Sequence, residues 1–133
     1  YVCQFKVLTK KDAPMKFIWN GDPEAIFTKR FRPFEVVVLL DNLFHNSSKA
    51  DAKTIEISTQ IREDESLEIV IADDGKGVPD SNAKKIFQPG FTTTNGSGYG
   101  LFHCLDIARE LDASLTLGTS KTKGAEFRLE ISP

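Results

Sequence analysis

The strand pattern at Leu67–Asp73 constrains the fold of this chain more than any other segment. Successive side chains of a strand alternate between two faces, so three apolar residues and the last residue share one face: Leu67, Ile69, Ile71 and Asp73. An ionised carboxylate is costly to bury unless it is paired. We therefore expect a hydrogen-bond donor to meet Asp73, either from the protein or from a ligand.

Two glycine-rich segments follow this strand. Gly75 and Gly77 allow a sharp backbone turn and let a flat ring lie close to the chain. Asp73, beside them, is suited to accept a hydrogen bond from an exocyclic amine such as that of adenine. Further along, glycines precede a helical pattern over residues 99–111, and backbone N–H groups at a helix start can hold phosphate oxygens. The glycines of this second segment are Gly96, Gly98 and Gly100.

Neither glycine segment is specific alone. The second is not a Rossmann fingerprint, because its spacing differs and no strand leads directly into it, and it is not a P-loop, because no Gly-Lys-Ser/Thr follows. The interpretation as a nucleotide site depends on the ordered set of polar and glycine positions along the chain. That set comprises Asn46, Lys49, Asp73, Gly75, Gly77, Gly98 and Gly100.

A long helical pattern covers residues 34–50. Its apolar stripe, at steps of three and four, consists of Val36, Leu40, Leu43, Phe44 and Ser47. Asn42, Asn46 and Lys49 form a second stripe, which is either a solvated face or part of a site. Asn46 offers a neutral oxygen to Mg²⁺, which prefers few protein ligands beside phosphates and water. His45 is one step off this stripe, so we expect it to pack or to lie at the surface.

The remaining segments complete an α+β fold. Alternation predicts strands at residues 2–9, 15–19 and Thr54–Ile61, and two more around residues 115–117 and 127–131. Pro33 suits the first position of the helix, and residues 84–87 read as a short helical turn. The order indicates a two-layer sandwich in which helices cover one face of a mixed, mostly antiparallel sheet.

Composition excludes several classes of function. The net charge of −2 gives no basic surface for nucleic acid or anionic lipid. The length of 133 residues is expected to form one domain over residues 1–133. No apolar run approaches the roughly 18 residues of a membrane span, and no secretory signal is visible. Cys3 and Cys104 match no metal spacing and are expected to be reduced core residues, which favours the cytoplasm. The start at Tyr1 suggests a piece of a longer protein.

Taken together, the motifs resemble those of the GHKL superfamily of ATP-binding domains (gyrase, Hsp90, histidine kinase, MutL), known as the Bergerat fold. The resemblance covers about residues 34–131 and is closest to the histidine-kinase branch. Residues 40–49 resemble the N box, where kinases carry Asn-Leu-Leu-x-Asn-Ala-x-Lys. Residues 73–79 resemble the G1 box, 86–93 the F box and 96–101 the G2 box. Residues 124–127 resemble the closing Gly-Thr-x-Phe, with Ala125 in place of Thr.

The resemblance implies ATP and Mg²⁺ as cofactors, with Asn46 as the metal ligand and Asp73 bound to adenine N6. It implies a mobile ATP lid over residues 88–97, whose polar and glycine-rich composition agrees. The cofactor-binding residues that it implies are Asn46, Lys49, Asp73, Gly75, Gly77, Val78, Phe87, Thr92, Thr93, Gly96, Gly98, Tyr99, Gly100 and Leu101.

Asn42 is the departure that matters for chemistry. The ATPase branches carry a water-activating glutamate at this position, whereas kinases carry asparagine, and an amide is a very poor base. Asp41 is about 100° round the helix and Glu35 about two turns away, so neither is expected to substitute. The expected catalytic set is Asn42, Asn46 and Lys49, with little turnover by the isolated domain.

The leading hypothesis is the catalytic domain of a histidine-kinase-like protein that presents the γ-phosphate to an acceptor histidine elsewhere. Its expected partners are ATP and a phosphoacceptor and dimerisation domain of the same protein, as a homodimer, with no nucleic acid and no membrane contact. It is expected in the cytoplasm or in the cytoplasmic portion of a membrane sensor. The alternatives are an ATP-gated switch or ATPase module like Hsp90, MutL or MORC proteins, and a degenerate interaction scaffold.

Overall fold

The computed structural model describes residues 2–3, 15–91, 100–118 and 124–133. In this part of the chain, six strands form one sheet in the order β1-β2-β3-β4-β6-β5. The strands are β1 (Val2–Cys3), β2 (Lys16–Asn20), β3 (Thr54–Ile61), β4 (Leu67–Asp73), β5 (Ala113–Gly118) and β6 (Glu126–Ile131). The helices are α1 (Pro33–Lys49) and α2 (Gly100–Glu110).

The sheet is mixed. β2 and β3 are parallel, with α1 in the connection between them, and every other pairing is antiparallel. Parallel neighbours need a crossover of this kind, whereas β3 and β4 are joined by a short turn. The α+β sandwich expected from the sequence is therefore confirmed.

The register builds a single apolar face. Ile57 of β3 lies opposite Ile71 of β4, which in turn lies opposite Phe127 of β6. Leu129 and Leu115 continue the same face across β6 and β5. Helices α1 and α2 contact each other and contribute buried residues to this core: Leu39, Leu43, Leu101, Cys104 and Ala108.

Local chemistry sets both ends of α1. Arg32 is extended (φ −91°, ψ 112°) and Pro33 begins the helix, where its missing N–H is not needed. At the other end Asp51 adopts a left-handed conformation (φ 58°), and the N–H of Ala52 donates to the carbonyl of Ser47 at 3.0 Å. This is the hydrogen-bond pattern of a helix C-terminus that closes on its own last turn.

The expected bounds hold for β3 and β4 and differ by one or two residues for β2, β5, β6, α1 and α2. The strands at Lys16–Asn20 and Ala113–Gly118 correspond to those expected at residues 15–19 and around residues 115–117. The short helical segment expected at residues 84–87 is instead part of a run of turns over residues 80–87. Of the strand expected at residues 2–9, residues 2 and 3 form β1 and the remainder lies outside the described residues.

Candidate functional site

A cavity of about 470 Å³ opens between α1, the end of β4 and the start of α2. Its size is within the roughly 300–1,000 Å³ of sites that hold small molecules and cofactors. Four elements and the segment after β4 contribute its lining. The lining residues are Asn42, His45, Asn46, Lys49 and Ala50; Asp73, Lys76, Gly77, Val78 and Pro79; Asn82, Ile86 and Phe91; Gly100 and Leu101; Ala125 and Phe127.

Asp73 lines this cavity and is only 4% exposed. Its Oδ2 accepts a hydrogen bond from the Ser47 hydroxyl at 2.7 Å. Its Oδ1 accepts from the N–H of Gly75 at 2.9 Å and of Ala125 at 3.1 Å. The donor expected from the strand pattern is therefore supplied by the protein, and the carboxylate still lines the cavity. These bonds fix the orientation of its two oxygens.

Close packing surrounds this carboxylate. A Cβ on Gly124 would lie 1.7 Å from the carbonyl oxygen of Asp73, and one on Gly75 would lie 2.7 Å from the carbonyl oxygen of Ala50. Glycine is therefore required at both positions by the approach of neighbouring backbone. We call Ser47, Asp73, Gly75, Gly124 and Ala125 the carboxylate wall.

Another part of the lining is a row of polar side chains on α1. Asn42, His45, Asn46 and Lys49 recur at steps of three, one and three, so they share one helical face. We call these four residues the polar face. His45 and Lys49 are exposed, whereas Asn42 and Asn46 are half-buried. The face thus brings two amides, an imidazole and an ammonium group to one opening.

Asn42 is tied to the scaffold. Its Nδ2 donates to the carbonyl of Val38 at 2.9 Å, and its Oδ1 lies 2.9 Å from where a Cβ on Gly100 would be. The residue therefore sets how closely the start of α2 approaches α1. This placement agrees with a positioning role and gives no base for activating water.

The segment after β4 turns back over the cavity. Lys76 donates its N–H to the carbonyl of Ala50 at 2.9 Å, and its Nζ pairs with Asp51 at 3.0 Å. Gly77 has a φ of 75°, which L-residues with side chains rarely adopt, and so it permits the turn that brings Val78 to the cavity.

Several residues predicted to bind the cofactor lie elsewhere or outside the described chain. Phe87 is not among the lining residues; its ring packs edge-on against Phe127 with centroids 6.2 Å apart. Gly75 acts behind the lining, through its N–H to Asp73. Gly100 and Leu101 line the cavity at the start of α2. Thr92, Thr93, Gly96, Gly98 and Tyr99 fall outside the described residues.

Sequence reasoning missed three residues of the site. His45 was expected off the polar stripe, although its spacing of three from Asn42 and four from Lys49 already placed it on that face. Ser47 was assigned to the apolar stripe, and it is indeed 2% exposed, but it also holds Asp73. Ala125 was noted as a departure from a motif; its contact with Asp73 depends on the pairing of distant strands.

The donor chemistry of the site suits a magnesium–phosphate group better than a protein-held metal. Among the described residues, no group of three or more His, Cys, Asp or Glu side chains could hold a metal ion. The amide oxygen of Asn46 is a suitable single ligand for Mg²⁺, which takes its other ligands from phosphates and water. Burial raises the pKa of the Cys104 thiol to about 12, so this core residue is no candidate nucleophile.

Comparison with known proteins identifies the family. A family model described as "Histidine kinase-, DNA gyrase B-, and HSP90-like ATPase" matches residues 32–133. The chain therefore belongs to this family, which confirms the resemblance inferred from its motifs. Family membership implies that the domain binds ATP.

The relatives are sensor kinases. The chain is 33% identical over 112 residues to the sensor protein PhoQ of Escherichia coli O157:H7, covering 82% of this chain and 22% of that protein. It is 31% identical over 119 residues to the histidine protein kinase SaeS of Staphylococcus epidermidis, covering 83% and 33%. The chain thus spans about a fifth to a third of the length of these relatives.

Solved structures show the same fold. The catalytic domain of the histidine kinase ThkA superposes with a TM-score of 0.75 at 24% identity, covering 87% of this chain and 77% of that one.

The part of the chain that the structure describes has no helix long and apolar enough to cross a membrane.

Proposed function

We propose that this domain binds Mg-ATP and presents the γ-phosphate to an acceptor histidine on another domain of the same protein. The observation that carries the proposal is the cavity itself, whose lining includes both Asp73 and the polar face of α1. The buried carboxylate suits a purine amine, and an amide with a lysine suits a metal-bound triphosphate.

The lining residues would bind different parts of the nucleotide. Asp73 would accept a hydrogen bond from the adenine amine, with Gly77 and Val78 beside the ring. Asn46 would ligate Mg²⁺, and Lys49 would balance phosphate charge. Gly100 and Leu101, at the N-terminus of α2, would meet the phosphates with backbone N–H groups. Thr92, Thr93, Gly96, Gly98 and Tyr99 keep their expected role as phosphate and lid contacts.

The site is suited to phosphoryl transfer rather than to hydrolysis. Bound Mg²⁺ supplies charge neutralisation, and the protein contributes positioning and electrostatic stabilisation. The amide of Asn42 donates a hydrogen bond to the backbone of α1. An amide is a very poor base, so Asn42 cannot activate water. We therefore expect slow ATP turnover by the 133-residue chain alone.

The first experiment measures stabilisation by Mg-ATP. At about 100 times its dissociation constant, the nucleotide should raise the free energy of unfolding by roughly 2.7 kcal/mol. Asp73→Asn should lose most of this increase, because its amide cannot offer a second acceptor oxygen. Asp64→Asn is the matched control, since Asp64 lies in the turn before the same strand and does not line the cavity. If wild-type stability does not respond to Mg-ATP, the proposal is wrong.

A second experiment tests transfer. The full-length protein should label one of its own histidines from radiolabelled ATP, and Asn46→Ala should abolish the label. Rapid ATP hydrolysis without a labelled histidine would instead support an ATP-gated switch, and absence of nucleotide binding would support an interaction scaffold.

The domain's setting is part of the proposal. We propose that it acts on the cytoplasmic side, as one domain within a homodimeric sensor, with its acceptor in a neighbouring domain. The buried thiol of Cys104 agrees with a reducing compartment.

A further inference from the structure

Two positions at the carboxylate wall differ from the kinase motifs in opposite ways. Ser47 stands where the pattern Asn-Ala-x-Lys has alanine, and Ala125 stands where Gly-Thr-x-Phe has threonine. One side of the wall therefore gains a hydroxyl and the other side lacks one. The Ser47 hydroxyl and the backbone N–H of Ala125 contact the same carboxylate, that of Asp73, and Ala125 lines the same cavity as Asp73.

The hydroxyl of Ser47 is committed to that carboxylate. Its Oγ lies 2.7 Å from Asp73 Oδ2 and 3.3 Å from the carbonyl oxygen of Leu43. A hydroxyl has one proton, and the shorter contact to a charged acceptor is the stronger of the two. Ser47 is 2% exposed, so water does not compete readily for this bond.

The two carboxylate oxygens are held by different parts of the chain. Oδ1 accepts from two backbone N–H groups, which no side-chain substitution removes. Oδ2 accepts from a side chain on another element, α1. The rotation of an aspartate carboxylate about its last bond is otherwise broad. The Ser47 hydroxyl therefore restricts which way the oxygens of Asp73 face within the cavity.

We propose that Ser47 is a positioning residue for base recognition, and that its hydroxyl replaces the one that Ala125 lacks. The inference rests on the proposed function, because it concerns how Asp73 selects a purine with a 6-amino group. Ser47 acts through Asp73, and the predicted effect is on discrimination between bases.

The test compares ATP with purine riboside triphosphate, which lacks the 6-amino group. Isothermal titration gives the dissociation constants of the 133-residue chain for both nucleotides with Mg²⁺. Ser47→Ala should weaken ATP binding about tenfold, as expected for the loss of a hydrogen bond to a charged group, and leave the analogue within about twofold. A merely structural role for Ser47 would weaken both nucleotides equally.

Rescue from the other side of the wall gives the second measurement. In the double variant Ser47→Ala/Ala125→Thr, the threonine hydroxyl should restore most of the preference for ATP, so the two substitutions should not be additive. Ser47→Cys keeps the size of the side chain and weakens the donor. It should show the same loss of discrimination if Ser47→Ala fails to fold.

The outcomes separate the two proposals. If the wild type binds ATP and prefers it to the analogue, while Ser47→Ala and Ser47→Cys keep the same ratio, the inference is overturned and the proposed function stands. If the wild type binds neither nucleotide, the proposed function fails and the inference fails with it. Loss of the ratio with rescue by threonine supports both.

Discussion

One aspartate lies in the turn just before β4 and another is its last residue, and the two are built from the same local motif. Before the strand, Asp64 accepts from the N–H and the hydroxyl of Ser66, at 3.0 and 2.5 Å. At its last residue, Asp73 accepts from the N–H of Gly75 and the hydroxyl of Ser47, at 2.9 and 2.7 Å. In both, a carboxylate meets the N–H two residues on and a serine hydroxyl, as short polar side chains commonly do in turns.

The two sites differ in where their partners come from. Both partners of Asp64 belong to Ser66, within one exposed turn between β3 and β4. Asp73 takes partners from distant parts of the chain, because Ser47 precedes it by 26 residues and Ala125 follows it by 52. A motif satisfied locally forms a turn. The same motif completed from α1 and from Ala125, just before β6, forms part of the buried wall of a cavity.

The largest effect is expected at Gly124, where a distant part of the chain packs against the backbone of Asp73. Gly124→Ala places a Cβ against the backbone carbonyl of Asp73, which cannot move without disturbing β4. We expect the free energy of unfolding to fall by about 3 kcal/mol, the upper range for overpacking, with nucleotide binding lost as well. Urea unfolding followed by circular dichroism measures this change.

Gly118→Ala is the matched control for that substitution. Its Cβ would also meet a neighbour within 3 Å, but that neighbour is Oε2 of Glu126, the end of a flexible side chain. We expect a decrease of under about 1 kcal/mol. Equal losses in the two variants would mean that close backbone packing at Asp73 is not what Gly124 provides.

The elements that depend only on their own segment of sequence were predictable. The alternation at Thr54–Ile61 and Leu67–Asp73 gave the bounds of both strands, because each pattern is complete within its own segment. Pro33 likewise marked the start of α1 from its own chemistry. The pairing of β2 with β3 as parallel neighbours across α1 was not predicted, since it depends on a crossover.

The site was predictable only in part, for the same reason. Asp73 was identified because a period of two pointed a carboxylate inward. The hydroxyl of Ser47 was read as core, because its partner lies on another element. Phe87 was assigned to the cofactor by resemblance, and its ring packs on Phe127 instead.

A smaller effect separates the two aspartates themselves. Asp73→Asn should lower the free energy of unfolding by about 2 kcal/mol without ligand, because a donor that now meets a carboxylate oxygen would then face an amide N–H₂ in a buried site. Asp64→Asn should lower it much less, since water can replace the lost acceptor at an exposed turn. Urea unfolding of both variants at pH 7 checks the order, and a larger loss at Asp64 would reverse the comparison.

The smallest effect is a pH dependence at the exposed turn. The side-chain hydrogen bond from Ser66, followed by its backbone N–H, lowers the pKa of Asp64 below its ordinary value of 3.8. A carboxyl whose pKa is lower in the folded state stabilises the protein above the unfolded value, and this stabilisation is lost as the pH falls through the folded pKa. The wild type should therefore exceed Asp64→Asn in stability by a constant amount from neutral pH to about pH 5. That advantage should shrink below pH 3.8, because the unfolded chain then binds a proton at Asp64 that the folded protein does not. The other titrating groups are the same in the two proteins, so their contributions cancel in the difference. Urea midpoints of the pair at several pH values measure the trend, with Ser66→Ala as a second variant that keeps the carboxyl and removes the hydroxyl donor. A difference that stays constant down to about pH 2.5 would show that the turn does not hold Asp64 in its charged form, and the likeness between the two ends of β4 would then be one of shape alone.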